Sequence, residues 1–297
     1  MTFGQITIIG VGLIGGSFAM AVRNAGFAHT ITGWDTDPEA LEKAREYGII
    51  DHVETSFSAG RQCDAGLVYI STPVTEIVKF LGSHGAQLRP GCLVTDAGST
   101  KRHICEFVSG KYDTGELSDQ VEFVGGHPMA GSHRTGVAAA NPDLFRGAPY
   151  AVVPLKQVPR EAAGKVRELV LALGAKPVTM TPDEHDIAVA MVSHAPQLVS
   201  TALALSVAPG ENKTAWLELA GSGFTDSIRL AASQWGVWSD ICQTNADNIS
   251  ASLTGLIQQI ERIRNDLNAG EFESLGESFS DASRLAMAFL ESRESGV

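Results

Sequence analysis

The segment Gly10-Val-Gly-Leu-Ile-Gly15 places the strongest constraint on what this chain of 297 residues can fold into. It follows the apolar run Ile6–Ile9, which predicts a buried strand, and it precedes a helical pattern. In a strand–turn–helix unit that binds a dinucleotide, the first glycine permits the tight turn, the second lets the backbone approach the pyrophosphate, and the third lets the helix pack closely on the strand. The residues predicted to contact the cofactor here are Gly10, Gly12, Leu13, Ile14 and Gly15.

An acidic residue at the end of the second predicted strand, Asp35, indicates which dinucleotide fits. It lies about 20 residues after Gly15, the spacing at which a carboxylate hydrogen-bonds the adenosine ribose hydroxyls. The same carboxylate would repel a 2′-phosphate, and the following Thr36 and Asp37 supply no arginine to bind one. The sequence therefore predicts NAD rather than NADP; a glycine turn that binds no nucleotide is the alternative.

The charge balance excludes several classes of partner. The chain has 22 Lys and Arg residues against 34 Asp and Glu residues, a formal net charge of −12, whereas binding to nucleic acid or an anionic membrane requires a surplus of basic residues. The apolar stretch Ile6–Val22 lacks a preceding basic segment and contains four glycines, so we expect no signal peptide and no membrane span. No cysteine pair has C-x-x-C spacing, which predicts reduced thiols, a cytoplasmic protein and no metal site. The cysteines are Cys63, Cys92, Cys105 and Cys242.

Two different patterns divide the chain near Thr181-Pro182. Before this point short β-branched runs alternate with helical stretches, which predicts a mostly parallel sheet covered on both faces. The predicted strands are Ile6–Ile9, Thr30–Trp34, Leu67–Ser71, Leu93–Thr95, Val121–Val124, Tyr150–Val153 and Pro177–Met180. After this point the patterns are those of long helices, at Asp183–Val207, Val237–Ala269 and Glu271–Arg293. We therefore predict an α/β Rossmann-type nucleotide-binding domain over residues 1–181, followed by an all-α dimerisation domain over residues 182–297.

Catalytic side chains in such a sheet come from loops at the carboxyl ends of the strands. Three loops of this kind stand out, at Ser71-Thr72-Pro73, Asp96–Lys101 and Gly125–Gly131. The first is predicted to contact the cofactor. The third contains His127, and a histidine whose pKa lies near neutrality suits removal of a hydroxyl proton while hydride leaves the same carbon. The alternative is a histidine that only hydrogen-bonds its own loop.

Four motifs, in matching order, resemble those of the family of prephenate and arogenate (cyclohexadienyl) dehydrogenases. The resemblance extends from about residue 5 to about residue 265. The motifs are Asp96-Ala-Gly-Ser-Thr-Lys101, Gly125-Gly-His-Pro-Met-Ala-Gly-Ser132, Ser193-His-Ala-Pro196 and Gly223-Phe-Thr-Asp-Ser-Ile-Arg229. The resemblance implies NAD(P)-dependent oxidation and decarboxylation of a small dianionic cyclohexadienyl substrate in tyrosine biosynthesis. It also implies a homodimer joined through the helical domains.

The same resemblance implies roles for individual residues. His127 would accept the proton of the ring hydroxyl, and Ser99 would hydrogen-bond near that hydroxyl and help to hold His127. Arg229 would bind a substrate carboxylate, because the planar guanidinium offers two parallel hydrogen bonds. The other implied substrate contacts, some of them supplied by the partner subunit, are His194, Gln197, Ser222, Gly223 and Trp238.

Structural roles are the alternative for four of these residues. Arg229 would otherwise pair with Asp226 as a solvated helix charge, and Ser99 would cap the helix that follows it. His194 would otherwise be a hydrogen-bonded core histidine, and Trp238 a packing residue.

Two positions depart from the family pattern and leave the substrate open. Gln197 stands where many members have a second histidine that contacts substrate, and His133 where some have a glutamate. Prephenate and arogenate differ only in a keto or an amino group, so either substrate, or both, fits the sequence. A more remote alternative is a β-hydroxyacid dehydrogenase of the same architecture. Such enzymes usually rely on a lysine in the helical domain, and the only lysine after Lys176 is Lys213. Another alternative is a regulator that senses NAD.

A dianionic substrate needs local positive groups on so acidic a protein. The candidates that the sequence offers are Arg229, Lys101, Arg134 and the helix N-terminus at Gly12–Gly15. Net charge therefore argues against nucleic acid but not against this substrate.

Overall fold

The computed structural model describes residues 2–55, 65–131, 134–207 and 213–294. Cys63, Ser132 and His133, which the sequence analysis singled out, lie outside these residues. By its internal contacts the chain separates into two compact units, residues 1–246 and 247–297. The predicted domain boundary at residues 181–182 is based on the change from strands to helices and not on internal contacts. It stays a prediction.

Eight strands of the described residues form one sheet, in the order β3-β2-β1-β4-β5-β6-β7-β8. The strands are β1 (Gly4–Ile9), β2 (Ala28–Trp34), β3 (His52–Glu54), β4 (Leu67–Ile70), β5 (Leu93–Asp96), β6 (Glu122–Pro128), β7 (Pro149–Pro154) and β8 (Lys176–Thr179). Every neighbouring pair is parallel except β6 and β7. The predicted fold class is confirmed. The sequence missed β3, because three half-buried residues are too few to show a pattern.

The central strands are buried because helices cover both faces of the sheet. All residues of β4 and β5 are buried, as expected for parallel strands between two helical layers. On one face the rings of Phe18 and Tyr69 stack with their centroids 3.6 Å apart. On the other face Ile77 and Val108 belong to a second apolar cluster. This packing fixes the edge of the sheet at which the parallel strands end.

The helices that cover the sheet begin and end at residues suited to those positions. They are α1 (Leu13–Asn24), α2 (Pro38–Glu46), α3 (Val74–His84), α4 (Arg102–Asp113) and α5 (Arg160–Ala172). The Asp37 carboxylate accepts the backbone N–H groups of Glu39 and Ala40 at 2.9 and 3.3 Å, and Pro38 occupies the first helical position. A capping carboxylate followed by proline at the first helical position is typical of a helix start.

The helices of the second half include two interruptions that the sequence patterns did not show. The helices are α6 (Pro182–Val189), α7 (Ala195–Val207), α8 (Lys213–Glu218), α9 (Ser222–Ile228), α10 (Trp235–Thr244), α11 (Ala246–Ala269) and α12 (Phe272–Glu294). A π-helical turn, Ala190–His194, joins α6 to α7. The prediction of a single helix over Val237–Ala269 is wrong, because Asn245 leaves helical geometry with φ −135° and ψ 25°. Its side-chain amide donates a hydrogen bond to the Asp186 carbonyl oxygen at 2.8 Å.

One helical segment among the described residues, Pro182–Val207, is long and apolar enough to cross a membrane by length and composition. Core helices pass the same test. His185, Asp186, His194 and Gln197 are buried along this segment, and each is hydrogen-bonded within the protein. Such a set of polar side chains fits packing inside the protein better than contact with lipid.

Candidate active site

A cavity of about 400 Å³ lies where the glycine turn after β1 meets the loop after β4. Its walls are formed by Ile9, Gly10, Gly12, Trp34, Asp35, Thr36, Ser71, Thr72, Pro73, Glu76, Lys79, Phe80, Ser83 and His84. These include most of the residues that the sequence predicted to bind the cofactor. Leu13, Ile14 and Gly15, the others, form the first turn of α1. The volume lies in the range of small-molecule sites.

The geometry of the turn requires glycine at two positions and leaves space at a third. Gly10 has a φ of +88°, and a Cβ atom there would lie 2.7 Å from the Ser71 carbonyl oxygen. A Cβ atom at Gly15 would lie 2.0 Å from the Gly10 carbonyl oxygen, so helix and turn could not pack as they do. At Gly12 a Cβ atom would meet nothing within 4 Å. This open side of the turn, at the N-terminus of α1, is where a pyrophosphate fits.

The polar groups of the cavity suit a dinucleotide. The Asp35 carboxylate accepts the backbone N–H groups of Val11 and Asp37 at 2.7 and 3.0 Å, which holds it at the end of β2 with lone pairs left for ribose hydroxyls. Trp34 Nε1 and Thr72 Oγ1 are buried and have no hydrogen-bond partner among the described residues. Because buried polar groups are normally hydrogen-bonded, these two atoms fit a ligand that supplies the missing partners.

Other cavity residues shape its walls. The Ser71 hydroxyl, a predicted cofactor contact, lies 2.7 Å from the Gly10 carbonyl oxygen and therefore helps to fix the turn. One wall of the cavity is aromatic and was not predicted from the sequence: the ring centroids of Trp34 and Phe80 lie 6.0 Å apart, and those of Phe80 and His84 lie 5.3 Å apart. Phe80 and His84 are one turn apart on α3, a spacing that would have placed them on one face. These rings form a surface suited to a planar base.

His127 is buried within β6 and not in a loop after it. The predicted strand end at Val124 is wrong, because Gly125–Pro128 continue as the antiparallel partner of β7. His127 Nδ1 lies 2.9 Å from His185 Nε2. Burial, with His185 and Lys101 nearby, holds the pKa of His127 well below its usual value, so the ring is neutral at neutral pH. A neutral imidazole with one nitrogen engaged can accept a proton at the other.

His185 and Asp186, where the first turn of α6 passes into the second, were not predicted as site residues. His185 Nδ1 lies 2.7 Å from Asp186 Oδ1, and the Asp186 carboxylate also accepts the backbone N–H groups of Lys101 and Arg102 at 2.7 and 3.0 Å. The alternative role of Ser99, as the cap of the following helix, is not observed, since α4 begins at Arg102 and its first N–H groups are bound by the distant Asp186. Ser99 is half-buried in the loop between β5 and α4.

Lys101 is fully buried and paired, which contradicts its predicted availability to an anionic substrate. Its ammonium group contacts the Asp96 carboxylate and donates to the Gly126 carbonyl oxygen at 2.7 Å. Asp96 also accepts the backbone N–H groups of Gly98 and Gly126, at 2.8 and 3.0 Å. The pair thus joins the loop after β5 to the residue that precedes His127, and it has no exposed charge to offer.

His194 and Trp238 lie together. His194 is buried at the end of the π-helical turn, with Nδ1 3.3 Å from the Asn245 side-chain nitrogen, and its ring packs edge-on against Trp238 at 5.9 Å between centroids. Burial lowers the pKa of His194 to about 4. The predicted alternative of a hydrogen-bonded core histidine therefore describes its contacts.

Gln197 is buried and contacts the segment that carries Arg229. Its amide nitrogen donates to the Leu230 carbonyl oxygen at 2.7 Å, and its amide oxygen accepts from the Ser233 hydroxyl at 3.2 Å. One helical turn later, Ser200 Oγ accepts the backbone N–H of Ala231 at 3.1 Å. The donor and the acceptor of the Gln197 amide thus both hold the short 3₁₀ turn Arg229–Ala232 against α7.

The remaining predicted contacts lie on the surface of this chain. Arg229, Ser222 and Gly223 are exposed, as is Arg134. Among the described residues no ion pair joins Arg229 to Asp226, so the predicted alternative of a solvated helix pair does not apply. Lys213 is also exposed, at the start of α8.

The sheet carries a cavity for a dinucleotide at its glycine turn and a buried neutral histidine near the carboxyl end of β6. Together they are typical of a dinucleotide-dependent oxidoreductase. Two family models match the chain, the nucleotide-binding domain of prephenate dehydrogenase over residues 18–179 and the dimerization domain of prephenate dehydrogenase over residues 181–281. The chain belongs to the prephenate dehydrogenase family, and it is an NAD-dependent dehydrogenase. The family, the enzyme class and the cofactor that the sequence predicted are confirmed.

Individual relatives agree with this assignment over most of the chain. A prephenate dehydrogenase of Bacillus subtilis is 34% identical over 280 residues, which cover 93% of this chain and 74% of the relative. A prephenate dehydrogenase from Aquifex aeolicus, solved with hydroxyphenyl propionate and NAD+, has a TM-score of 0.88 and 28% identity, with 97% of this chain and 99% of the other covered. Synechocystis arogenate dehydrogenase has a TM-score of 0.77 and 27% identity, with 99% and 100% covered.

Proposed function

We propose that this enzyme oxidises and decarboxylates prephenate, giving 4-hydroxyphenylpyruvate for tyrosine biosynthesis. The observation that carries the proposal is the buried, neutral His127 near the carboxyl end of β6, whose Nδ1 is engaged by His185 so that Nε2 is left to act as the base. Family membership supplies the substrate class. The alternative substrate is arogenate, the amino analogue, which would give tyrosine directly.

The reaction needs a hydride acceptor and a proton acceptor at the same carbon. Bound NAD would accept the hydride from the ring carbon that carries the hydroxyl group. His127 would take the hydroxyl proton as that carbon becomes a carbonyl. The carbon–carbon bond to the ring carboxylate then breaks and carbon dioxide leaves. The electron pair of that bond stays with the ring and makes it aromatic. The oxygen recovers the proton from His127 to give a phenol, so the overall conversion releases no proton.

The other predicted substrate residues are part of the same proposal. Ser99 would hydrogen-bond near the hydroxyl, and Arg229 would pair with a carboxylate of the dianionic substrate. The Gln197 amide hydrogen-bonds Leu230 and Ser233, within and directly after the Arg229–Ala232 turn. We therefore propose that Gln197 sets the position of Arg229. Further contacts from one subunit or its partner would come from His194, Ser222, Gly223 and Trp238.

We also propose that the enzyme is a cytoplasmic homodimer. The match to a dimerization domain supports this, and the helices leave large apolar side chains exposed for a second copy to cover. In the segment 182–207 these are Ile187, Met191, Val192, Leu203 and Leu205, and on α12 they are Phe272, Phe279, Leu285, Met287, Phe289 and Leu290. The described cysteines are free thiols, as in a reducing compartment.

The test is a comparison of four reactions, prephenate or arogenate with NAD or NADP, followed by the absorbance of the reduced nicotinamide. We expect the largest kcat/KM for prephenate with NAD. A larger value for arogenate would assign the alternative substrate. If neither substrate reduces either cofactor, the proposed function is wrong.

Replacing Asp35 tests the cofactor site separately. Asp35→Ala is expected to raise the KM for NAD by about 10–100-fold, because hydrogen bonds to a charged group contribute about 1.5–3 kcal/mol each. The charge alone is tested by Asp35→Asn, which keeps hydrogen-bonding atoms for the Val11 N–H group and the ribose. We expect this variant to retain most of its NAD affinity and to bind NADP better. An unchanged preference for NAD in both variants would contradict the assignment.

A further inference from the structure

We propose that His185 and Asp186 are positioning residues that fix His127 in the tautomer with a proton on Nδ1 and a free lone pair on Nε2. This inference rests on the proposed function for its catalytic consequence, since it assigns how the base of that reaction is prepared. The contacts that carry it are a continuous chain, from His127 Nδ1 to His185 Nε2 at 2.9 Å and from His185 Nδ1 to Asp186 Oδ1 at 2.7 Å.

The direction of each hydrogen bond in this chain is set by the Asp186 carboxylate at its end. The Asp186 carboxylate already accepts two backbone N–H groups, from Lys101 and Arg102, so it faces His185 as an acceptor. His185 Nδ1 must therefore carry the proton that it donates to Asp186. Burial lowers the pKa of His185, which leaves one proton on the ring and makes Nε2 an acceptor. His127 Nδ1 is then the donor, and its Nε2 keeps the lone pair that the reaction needs.

The chain is fixed at several points outside the two histidines. His185 and Asp186 are adjacent in α6, so the carboxylate that orients the ring also holds the N-terminus of α4. The Asn245 amide donates to the Asp186 carbonyl oxygen at 2.8 Å, which fixes the same turn from another side. His127, His185, Asp186 and Asn245 are all buried. A ring held in this way cannot rotate freely to offer the wrong nitrogen.

The surroundings of His127 disfavour its protonated form, so a hydrogen-bond acceptor for its Nδ1 proton is important to its action as a base. Burial and the Lys101 ammonium disfavour protonation of His127, as would His185 on α6 and His194 on the π-helical turn if they were protonated. Asp96 pairs with Lys101, and Asp186 reaches His127 only through His185. A neutral His185 that accepts from Nδ1 and is itself tied to a carboxylate stabilises the imidazolium formed during the reaction. It therefore supports the base as well as orienting it.

Two replacements of His185 separate these effects from general packing. His185→Leu fills the space without an acceptor, whereas His185→Gln places an amide oxygen near the position of Nε2. We expect the leucine variant to lose about 10²-fold in kcat with little change in the KM for NAD, and the acidic limb of its kcat profile to move to lower pH. The glutamine variant should recover most of the kcat and the pH profile of the unaltered enzyme.

Nitrogen NMR of histidine-labelled protein without substrate tests the tautomer directly. The unaltered enzyme should show His127 protonated on Nδ1, and the folded His185→Leu variant should show both tautomers. Equal losses in the two variants with an unmoved pH profile, or His127 protonated on Nε2 in the unaltered enzyme, would overturn the proposal. Absence of turnover with either substrate, together with the expected spectra, would instead reject the proposed function and leave the hydrogen-bonded chain intact.

Discussion

Replacing His127 with asparagine is expected to lower kcat by about 10²–10⁴-fold, which is the usual cost of removing a general base. Asparagine can still donate a hydrogen bond from its amide toward His185 Nε2, so the neighbouring side chains should keep their places. What the variant lacks is a lone pair of sufficient basicity at the position of Nε2. The measurement is the initial rate of nicotinamide reduction with saturating prephenate and NAD.

A matched control is available on α4, where His103 is exposed and lies outside the cofactor cavity. We expect His103→Asn to keep kcat within about twofold, since exposed substitutions away from a site rarely matter. Thermal unfolding of both variants shows whether either is destabilised. A kcat for His127→Asn near that of His103→Asn would mean that another group accepts the proton.

The parts of the molecule that the sequence predicted are those determined by local pattern. The apolar runs of β4 and β5 are buried on both faces, so their composition alone identifies them as central strands. Gly10, Gly12 and Asp35 form one cavity because the turn and the strand end are close in any sheet of this kind. His127 was predicted for the same reason, although the antiparallel pairing with β7 was not visible in its segment.

The parts that the sequence missed depend on contacts between distant segments. His185 was one of several polar residues at the start of a helix, and only its approach to a strand 58 residues earlier gives it a role. Gln197 stands at a predicted substrate position, but its amide is taken up by Leu230 and Ser233. Lys101 is a predicted positive group for an anionic substrate, whereas in the fold its ammonium group contacts a buried carboxylate.

That buried pair leads to the largest expected effect on stability. Lys101→Met keeps the length and volume of the side chain but leaves the Asp96 carboxylate in the interior without its cation. We expect the free energy of unfolding to fall by about 3–5 kcal/mol, the cost of breaking a buried ion pair by removing one partner. The measurement is urea unfolding followed by circular dichroism, with an unchanged slope as the sign that the folded state is intact.

Two comparisons show whether the loss comes from the isolated charge. Adding Asp96→Asn to Lys101→Met removes the uncompensated charge while keeping an acceptor for the Gly126 N–H group, so part of the stability should return. Lys43→Met breaks the exposed pair of Lys43 with Glu39 and is expected to change stability little. If Lys101→Met were as stable as Lys43→Met, the pair could not be what holds Gly126 beside Asp96. His127 follows Gly126 directly, so we expect the stability lost at Lys101 to be accompanied by a lower kcat.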